Sequence, residues 1–293
     1  MHGTGVPLAT PFDDTGDVDH DALETIAAWL EDGGVDVLVP CGSTGEAPLL
    51  TIDERVAVIE TVVEATDLPV LAGTGWEGYE PTLETTARAA EAGADAALVI
   101  TPSYYGSDDA ALEAYYRDLA DESPIPVVLY SVPKFTGHAL APETAASLAA
   151  HENVTGIKDS SGSLESIQRL VALTADEEFS VLVGSGSVYA AGLAAGADGG
   201  VLALANAVPG RASEIRRLQE AGRVDAAREL NAALVELNRA VTAEYGVPGV
   251  KAALEARDQP AGDPRRPLRT LEGDDRAIVE SVLEETLEGT LGR

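Results

Sequence analysis

Lysine, cysteine and aromatic residues are scarce in this sequence of 293 residues. Only three lysines occur, Lys134, Lys158 and Lys251, and the single cysteine, Cys41, excludes an internal disulfide and a cysteine-rich metal site. Aromatic residues make up 4% of the chain and hydrophobic residues 45%, so alanine, valine, leucine and isoleucine must build the core. This hydrophobic content is typical of a globular protein and excludes general disorder.

Positive charge is also scarce, because 19 basic residues stand against 50 acidic ones and the formal net charge is −31. Nucleic acids and anionic membranes need a positive protein face, so neither is an expected partner. The acidic residues are spread along the chain in short clusters and form no single acidic tail. We interpret this as a uniformly acidic surface adapted to high salt, where repulsion between like charges is screened.

Long apolar segments and metal-ligand patterns are absent from the sequence. No apolar stretch reaches about 18 residues, the length typical of a membrane-spanning helix, and no basic segment followed by an apolar one opens the chain. We therefore expect a soluble, cytoplasmic protein. The four histidines show no spacing typical of metal ligands, which predicts that no metal is bound.

Eight short apolar runs recur at intervals of roughly 25 to 35 residues, as expected for strands buried on both faces. They cover residues 5–10, 35–40, 69–73, 96–101, 127–131, 154–158, 181–184 and 200–204. Amphipathic stretches between them predict helices, one beginning at Asp19 and one at a Thr51/Glu54 capping box. Eight alternating units predict a single (β/α)8 TIM barrel over residues 1–223, with an open doubly wound sheet as the alternative. Three further helical stretches predict an appendage over residues 224–293 that packs on the barrel.

Lys158 ends the sixth predicted strand, where the active sites of such barrels lie. A lysine in water has a pKa of about 10.4 and is a poor nucleophile at neutral pH. Burial disfavours the ammonium form, which frees the amine to attack a carbonyl carbon. The alternative is a lysine that marks a strand end and extends to water.

Other polar groups end neighbouring strands of the predicted barrel. Tyr130 ends the fifth strand, where its phenol either moves a proton to a reacting oxygen or packs as a half-buried side chain. Ser43 and Thr44 lie in a glycine-bracketed turn after the second strand, which predicts a nest for a carboxylate, although an ordinary strand-to-helix turn has the same pattern. The loop from Gly184 to Val188 either holds a phosphate or leaves room for a substrate on Lys158. The amine of Lys158, the phenol of Tyr130 and a carboxylate-binding turn at Ser43 and Thr44 together favour Schiff-base chemistry on a 2-oxo acid.

The ordered motifs of the chain resemble those of the dihydrodipicolinate synthase / N-acetylneuraminate lyase family, which comprises class I pyruvate-dependent aldolases. The motifs that carry the resemblance are 42–46 (Gly-Ser-Thr-Gly-Glu), 101–105 (Thr-Pro-Ser-Tyr-Tyr), 130–133 (Tyr-Ser-Val-Pro), 156–159 (Gly-Ile-Lys-Asp), 185–186 (Ser-Gly) and 206–209. They run in order from the amino terminus to about residue 257. The resemblance favours the catalytic interpretation of Lys158.

The resemblance implies a role for each matching residue. Lys158 would form the Schiff base without any other cofactor, Tyr130 would relay protons together with Thr44, and Ser43 and Thr44 would bind the carboxylate of pyruvate. Tyr104 matches a tyrosine inserted into the neighbouring subunit's site, and Gly186 and Val201 fall where the family lines the pyruvate pocket. Family members are usually tetramers, so a homotetramer built as a dimer of dimers is expected.

Two departures from the synthase pattern guide the prediction of the substrate. The dihydrodipicolinate synthases of this family typically carry an arginine where this chain has Phe135, and a phenylalanine cannot pair with an anion. They commonly carry a threonine where this chain has Ser43. We therefore predict a lyase closest to the archaeal aldolases that cleave 2-keto-3-deoxygluconate or its 6-phosphate to pyruvate and an aldehyde, as in Entner-Doudoroff carbohydrate metabolism. Ser160 is then a candidate contact to substrate hydroxyls. The alternatives are a 4-hydroxy-tetrahydrodipicolinate synthase, which condenses pyruvate with aspartate semialdehyde, and a barrel that binds 2-oxo acids without turnover.

Overall fold

The computed structural model describes residues 1–289 and contains one eight-stranded parallel sheet. The strands are β1 Gly3–Val6, β2 Val37–Leu38, β3 Leu71–Gly73, β4 Ala96–Ile100, β5 Val127–Ser131, β6 Val154–Asp159, β7 Ser180–Val183 and β8 Gly199–Val201. Their order in the sheet is β2-β1-β8-β7-β6-β5-β4-β3, so strands consecutive in the sequence lie side by side except β2 and β3, which are the two outer strands of this order. All pairs are parallel, as in a ring of β/α units.

The two outer strands of that order also meet and nearly close the barrel. Leu38 forms a parallel bridge with Val70, and its backbone N–H donates to the carbonyl of Pro69 at 3.1 Å. The (β/α)8 barrel predicted from the sequence is therefore confirmed, and the open doubly wound sheet is wrong. The carboxyl-terminal end of β1 differs from the prediction because Pro7 has no N–H to continue the ladder, so the strand stops at Val6.

Side chains alternate between the inside of the barrel and the layer beneath the helices. Val128 and Tyr130 belong to the cluster that fills the barrel interior, whereas Leu129 belongs to the larger cluster packed against the surrounding helices. This follows from the two-residue period of a strand. A polar side chain at the end of the inward-facing series consequently points into the mouth of the barrel.

Helices lie between the strands and surround them. They are α1 His20–Asp32, α2 Ile52–Ala65, α3 Tyr79–Glu91, α4 Asp109–Glu122, α5 Pro133–Thr136, α6 Pro142–Ala149, α7 Leu164–Leu173, α8 Tyr189–Ala194 and α9 Pro209–Glu220. Two predicted helix starts are confirmed: the Asp19 side chain accepts from the backbone of Ala22, and Thr51 with Glu54 forms a capping box. None of the helices among the described residues is long and apolar enough to cross a membrane.

Helices follow the barrel at the carboxyl-terminal end of the chain. They are α10 Val224–Ala233, α11 Val235–Asn238, a π-helical segment Arg239–Glu244, α12 Val247–Glu255 and α13 Gly273–Glu288. The three helical stretches expected here, 225–245, 249–256 and 274–288, overlap these elements, and the first is divided into α10, α11 and the π-helical segment. The boundary between barrel and appendage at residue 224 stays a prediction, and residues 290–293 of the predicted appendage lie outside the described residues.

Candidate active site

Tyr130 and Lys158 are side by side at the end of two paired strands. They are register partners on β5 and β6, and their side chains are 5% and 3% exposed. The Lys158 amine Nζ lies 4.2 Å from the centre of the Tyr130 ring. The parallel register therefore places the amine and the phenol in one mouth, as their strand positions predict.

The Lys158 amine lacks the partner that a buried cation ordinarily has. Among residues 1–289, no carboxylate lies within salt-bridge distance of its Nζ. The neighbouring Asp159 carboxylate is held elsewhere, because its oxygens accept from the Ser161 backbone at 2.7 Å and the Ser166 hydroxyl at 2.5 Å. No carboxylate of these residues therefore holds the Lys158 amine, which lies at the cavity where a carbonyl carbon would bind, as a nucleophile requires.

The loop between β2 and α2 brings hydroxyl groups to the same mouth. Ser43 Oγ lies 3.4 Å from the Tyr130 hydroxyl, and Thr44 is half-buried beside it. The loop turns sharply, with Cys41 and Glu46 at φ values of 55° and 56°, a region that residues other than glycine rarely adopt. Such backbone strain persists only where surrounding contacts hold it.

Arg55, one of the groups that hold this loop, is buried beneath it. Its guanidinium donates twice to the carbonyl of Ala47, at 2.7 and 3.0 Å, and once to that of Gly75 at 2.8 Å. It also stacks on the Trp76 ring at 3.6 Å, and its burial lowers its pKa to about 10. Burial raises the pKa of the Cys41 thiol to about 12, so this thiol is not a nucleophile at neutral pH.

An ion pair fastens the other end of the loop to the carboxyl-terminal helices. The Glu46 carboxylate lies 3.0 Å from Nζ of Lys251 on α12, and both side chains are buried. Glu46 also accepts from the backbone of Arg265 at 2.8 Å. Burial raises the pKa of Glu46 and lowers that of Lys251, while their mutual attraction opposes both shifts. Lys251 therefore connects the appendage to the loop that carries Ser43.

These groups surround a cavity of about 220 Å³ at the barrel mouth. Of the residues predicted for the site, Ser43, Thr44, Tyr130, Lys158, Ser160 and Val201 line it. Its other lining residues are Pro7, Val132, Lys134, Phe135, Gly184, Ser185, Ala203, Asn238, Val241, Thr242, Ala243, Gly246, Val247 and Val250. Residues far apart in the sequence thus line one cavity at the position that the strand ends predict.

The loop after β7 supports the cavity wall. A side chain at Gly184 would collide with Ser160 Oγ, so glycine allows the close approach of β6 and this loop. Beyond it, Asn231 donates to the Gly186 carbonyl at 2.7 Å and Asn238 donates to the Ser187 hydroxyl at 2.8 Å. Gly186 itself lies behind the lining, against Asn238. The loop is thus bound to the appendage, and its two interpretations, room for a substrate or a phosphate cradle, both stay predictions.

Tyr104 does not line the cavity of the single chain. Its side chain is 79% exposed and makes an edge-to-face contact with Tyr105, with ring centres 5.0 Å apart. The backbone beneath is fixed, because Glu77 accepts from the N–H groups of Ser103 and Tyr104 at 2.8 Å each. The predicted role of Tyr104 in a neighbouring subunit stays a prediction.

The sequence interpretation missed the part of the wall that the appendage supplies. Seven cavity residues, from Asn238 to Val250, come from this region: six lie in α11, the π-helical segment and α12, and Gly246 precedes α12. π-helical turns are rare and occur frequently at functional sites. One sequence signal for this contribution is the pair Asn231 and Asn238. Their seven-residue spacing places both amides on the same face of a helix.

Clusters of metal-ligating side chains are absent among the described residues. Within 1–289, no group of three or more histidine, cysteine, aspartate or glutamate side chains is placed to hold a metal ion. The donors around the cavity are instead hydroxyls, an asparagine amide and two lysine amines.

Fold and site together define a class of enzyme. A (β/α)8 barrel whose sixth strand ends in a buried lysine, beside a tyrosine on the fifth, is the arrangement expected of a pyruvate-dependent aldolase that forms a Schiff base. The family comparison agrees, since the model of the Dihydrodipicolinate synthetase family matches residues 1–286. The chain belongs to this family and is an enzyme of the lyase type.

Individual relatives cover nearly the whole chain. The 4-hydroxy-tetrahydrodipicolinate synthase of Methanothrix thermoacetophila is 40% identical over 97% of this chain and 96% of its own length. The crystal structure of dihydrodipicolinate synthase from Thermotoga maritima is similar with a TM-score of 0.94 and 31% identity, covering 98% of each chain. YagE from E. coli K12, a prophage protein of the same family solved in complex with pyruvate, has a TM-score of 0.93 at 28% identity, covering 98% of this chain and 99% of its own.

The comparisons correct the substrate predicted from the sequence. Relatives that are 34–40% identical over nearly the full length are named 4-hydroxy-tetrahydrodipicolinate synthase. The prediction of a 2-keto-3-deoxygluconate aldolase, with its place in Entner-Doudoroff carbohydrate metabolism, is therefore wrong. The weak point was Phe135, because the loss of an arginine at one position does not show that the whole cavity lacks a cation for an anionic aldehyde.

Proposed function

We propose that this protein is a 4-hydroxy-tetrahydrodipicolinate synthase, which condenses pyruvate with aspartate semialdehyde. The observation that carries the proposal is the buried Lys158 amine, 4.2 Å from the centre of the Tyr130 ring, in a cavity of about 220 Å³. The names of the relatives support the choice of second substrate. No cofactor is needed, because the lysine itself supplies the electron sink.

The first half of the reaction builds a nucleophile from pyruvate. The Lys158 amine attacks C2 of pyruvate, and loss of water gives an imine whose nitrogen attracts electrons. Loss of a proton from C3 then gives an enamine. Tyr130 lies beside the reacting nitrogen, and its hydroxyl contacts Ser43 Oγ at 3.4 Å, which supports proton transfer through these two hydroxyls. Thr44, which lines the same cavity, is assigned to this relay from the family resemblance.

The second half forms the new carbon–carbon bond. The enamine carbon attacks the aldehyde carbon of aspartate semialdehyde, and the resulting alkoxide takes a proton from the Tyr130 hydroxyl. The amino group of the product then attacks C2 and closes the ring, which releases Lys158. The amino group gives up its ammonium proton to solvent before it attacks. The step then balances, because the products are 4-hydroxy-tetrahydrodipicolinate, the one water lost in imine formation and that proton.

The remaining site residues take supporting roles in this proposal. Ser43 and Thr44 hold the carboxylate of pyruvate through hydroxyl and backbone N–H groups, and Gly186 and Val201 support and line the pyruvate pocket. Ser160, which directly follows β6, contacts the bound intermediate. Tyr104 enters the site of a neighbouring subunit in a homotetramer, which would explain why its ring is exposed in the single chain. The enzyme acts in the cytoplasm.

Trapping of the imine tests the chemistry directly. Borohydride added with pyruvate should reduce the imine and leave a stable pyruvate-derived mass on the peptide that carries Lys158, as measured by peptide mass spectrometry. The Lys158→Met variant should show no such mass. Lys134 and Lys251 serve as internal controls within the same digest, since neither should be labelled.

A direct comparison of substrates tests the particular reaction. Purified enzyme is given pyruvate with aspartate semialdehyde, and separately 2-keto-3-deoxygluconate, and the rates of condensation and of pyruvate release are compared. Condensation should be the faster reaction by at least tenfold. Imine trapping without condensation would retain the aldolase class and overturn the synthase proposal, whereas absence of trapping would overturn both.

A further inference from the structure

The cavity carries an unusual charge for so acidic a protein. The chain has a net charge of −31, yet no aspartate or glutamate is among the cavity's lining residues. Its charged lining residues within 1–289 are two of the three lysines in the chain, Lys158 and Lys134. The cavity is therefore a local positive site within an acidic surface, which concentrates anions.

The two lysines have different tasks. Lys158 is consumed as the imine once pyruvate has bound, so it cannot also pair with the carboxylate of a second substrate. Phe135, at the rim and 61% exposed, offers no charge. Lys134 is then the remaining cation for a second anionic group.

The surroundings of Lys134 hold its amine at the rim. It lies on the four-residue helix α5, which begins at Pro133 and ends at Gly137 in the left-handed conformation. Its Nζ donates to the backbone carbonyl of Thr242 at 2.8 Å, near the end of the π-helical segment, where carbonyls lack helical partners. An ammonium has three N–H donors, and this contact uses one.

No carboxylate of the described residues is bound to the other two N–H donors of the Lys134 amine. Among the described residues, no carboxylate lies within salt-bridge distance of Lys134. Its amine is 5.5 Å from the centre of the Phe135 ring, so the ring shields one side of it without neutralising it. An exposed ammonium at a cavity rim, held by a single neutral acceptor, is ready to bind a carboxylate.

We propose that Lys134 is the specificity-determining residue that binds the carboxylate of the second substrate, an anionic aldehyde. This inference rests on the proposed function and adds to it the group that selects the aldehyde. The Lys134 amine pairs with the carboxylate across the rim, and the Phe135 ring covers the aliphatic part of the substrate. Pyruvate binding and imine formation do not use Lys134.

Steady-state kinetics of the Lys134→Met variant test the inference. The KM for aspartate semialdehyde should rise about 10- to 100-fold, the loss expected when a charge-assisted hydrogen bond is removed. The KM for pyruvate and borohydride trapping at Lys158 should stay within about twofold of the unchanged enzyme. A purely structural role for the Thr242 contact would instead alter thermal stability and pyruvate affinity as well.

Two further variants separate charge from packing. Arg239→Met removes a nearby cation that does not line the cavity, so it should leave the KM for aspartate semialdehyde unchanged. The double variant Lys134→Met/Phe135→Arg returns a cation to the rim at the adjacent position and should restore most of the lost affinity. Rising salt should also raise the KM for aspartate semialdehyde in the unchanged enzyme more than in Lys134→Met, because salt screens the pair.

The outcomes distinguish this inference from the function on which it rests. If the unchanged enzyme fails to condense aspartate semialdehyde, the synthase proposal fails first. If it condenses the two substrates and Lys134→Met retains the same KM for the aldehyde, the synthase proposal stands and the role of Lys134 is overturned. An equal rise in KM for Arg239→Met would also overturn it, since the effect would then be a general change of charge.

Discussion

Glu46 and Lys251 form a buried ion pair with a separation of 3.0 Å between Oε1 and Nζ. It joins the loop of Ser43 and Thr44 to α12, which supplies Val247 and Val250 to the cavity. The variant Lys251→Met leaves a buried carboxylate without its partner, which should cost about 3–5 kcal/mol of unfolding free energy. Denaturant unfolding measures this loss.

Matched variants separate the effect of the pair from the effect of any single charge. Glu46→Gln together with Lys251→Met should lose less stability than the sum of the two single variants, because no charge is left unpaired. Arg228→Met, which breaks an exposed pair with Asp225, should change stability far less. Additive losses from the two single variants would contradict direct coupling between Glu46 and Lys251.

Tyr130→Phe should retain the imine and slow its conversion. The substitution keeps the ring beside Lys158 Nζ and removes the hydroxyl that contacts Ser43 Oγ. A positioned proton donor typically contributes about 10²- to 10⁴-fold, so kcat for condensation should fall within that range. The control Tyr79→Phe removes a hydroxyl bonded to Glu122 on the outer helices and should leave kcat unchanged. An unaltered kcat in Tyr130→Phe would exclude the phenol from proton transfer.

Gly184→Ala should displace the cavity wall formed by Ser160 and the loop after β7. The added methyl group collides with Ser160 Oγ and lies 2.8 Å from Ser160 Cα, so β6 or the loop after β7 must shift. Overpacking of this kind costs about 1–3 kcal/mol and should lower kcat/KM as well. In Gly210→Ala, the new methyl on α9 meets only the Gly33 carbonyl at 3.5 Å, and stability should stay equal or rise slightly. Thermal unfolding and kinetics of both variants provide the check.

Acid should weaken the attachment of the segment between α12 and α13. Hydrogen bonding from Arg265 holds the pKa of Glu54 at about 2, below the value of about 4.3 in an unfolded chain. Ionised Glu54 therefore stabilises the folded state above about pH 4.3, and that contribution disappears as the pH falls towards 2. Glu54→Gln should thus be less stable than the unchanged protein at pH 7, with the difference shrinking near pH 2.5.

The control for the acid experiment is Glu60→Gln, an exposed position on the same helix. It should show no comparable pH-dependent difference in denaturant unfolding. A Glu54→Gln penalty of equal size at pH 7 and pH 2.5 would mean that the pair with Arg265 is not electrostatic in origin.

Salt should stabilise the folded protein. A net charge of −31 repels itself most strongly in the compact state, and the screening length falls from about 10 Å at 0.1 M salt to about 3 Å at 1 M. The melting temperature should therefore rise steadily between 0.1 and 2 M KCl. A melting temperature that stays flat or falls over this range would contradict adaptation to high salt.

The barrel and the pairing of Tyr130 with Lys158 were predictable because both follow from short-range rules. Strands buried on two faces appear as uninterrupted apolar runs, and consecutive strands of a parallel barrel are neighbours, so residues ending the fifth and sixth runs must meet. The turn containing Ser43 was recognisable by its flanking glycines. The predicted substrate failed because it depended on two positions, Phe135 and Ser43, while the direction of the Lys134 side chain is not encoded in any local pattern.

The rim contributed by the appendage could not be predicted for a related reason. A π-helical segment such as Arg239–Glu244 differs from an α-helix only in which carbonyl each N–H contacts, and that choice depends on tertiary packing. The partners of Glu46 likewise come from residues more than 200 positions away, which no sequence periodicity connects.

The hydrogen-bonded register between β5 and β6 constrains substitution at the imine-forming residues more than substitution at the rim of the cavity is constrained. The imine-forming pair is fixed by a strand ladder, where a shift of one residue would turn Tyr130 or Lys158 out of the barrel. The rim that faces the aldehyde is built instead from a four-residue helix and a π-helical segment, which tolerate substitution without breaking the ladder. Libraries that vary positions 134, 135 and 241–243 therefore offer a route to new aldehyde partners with the pyruvate chemistry kept intact.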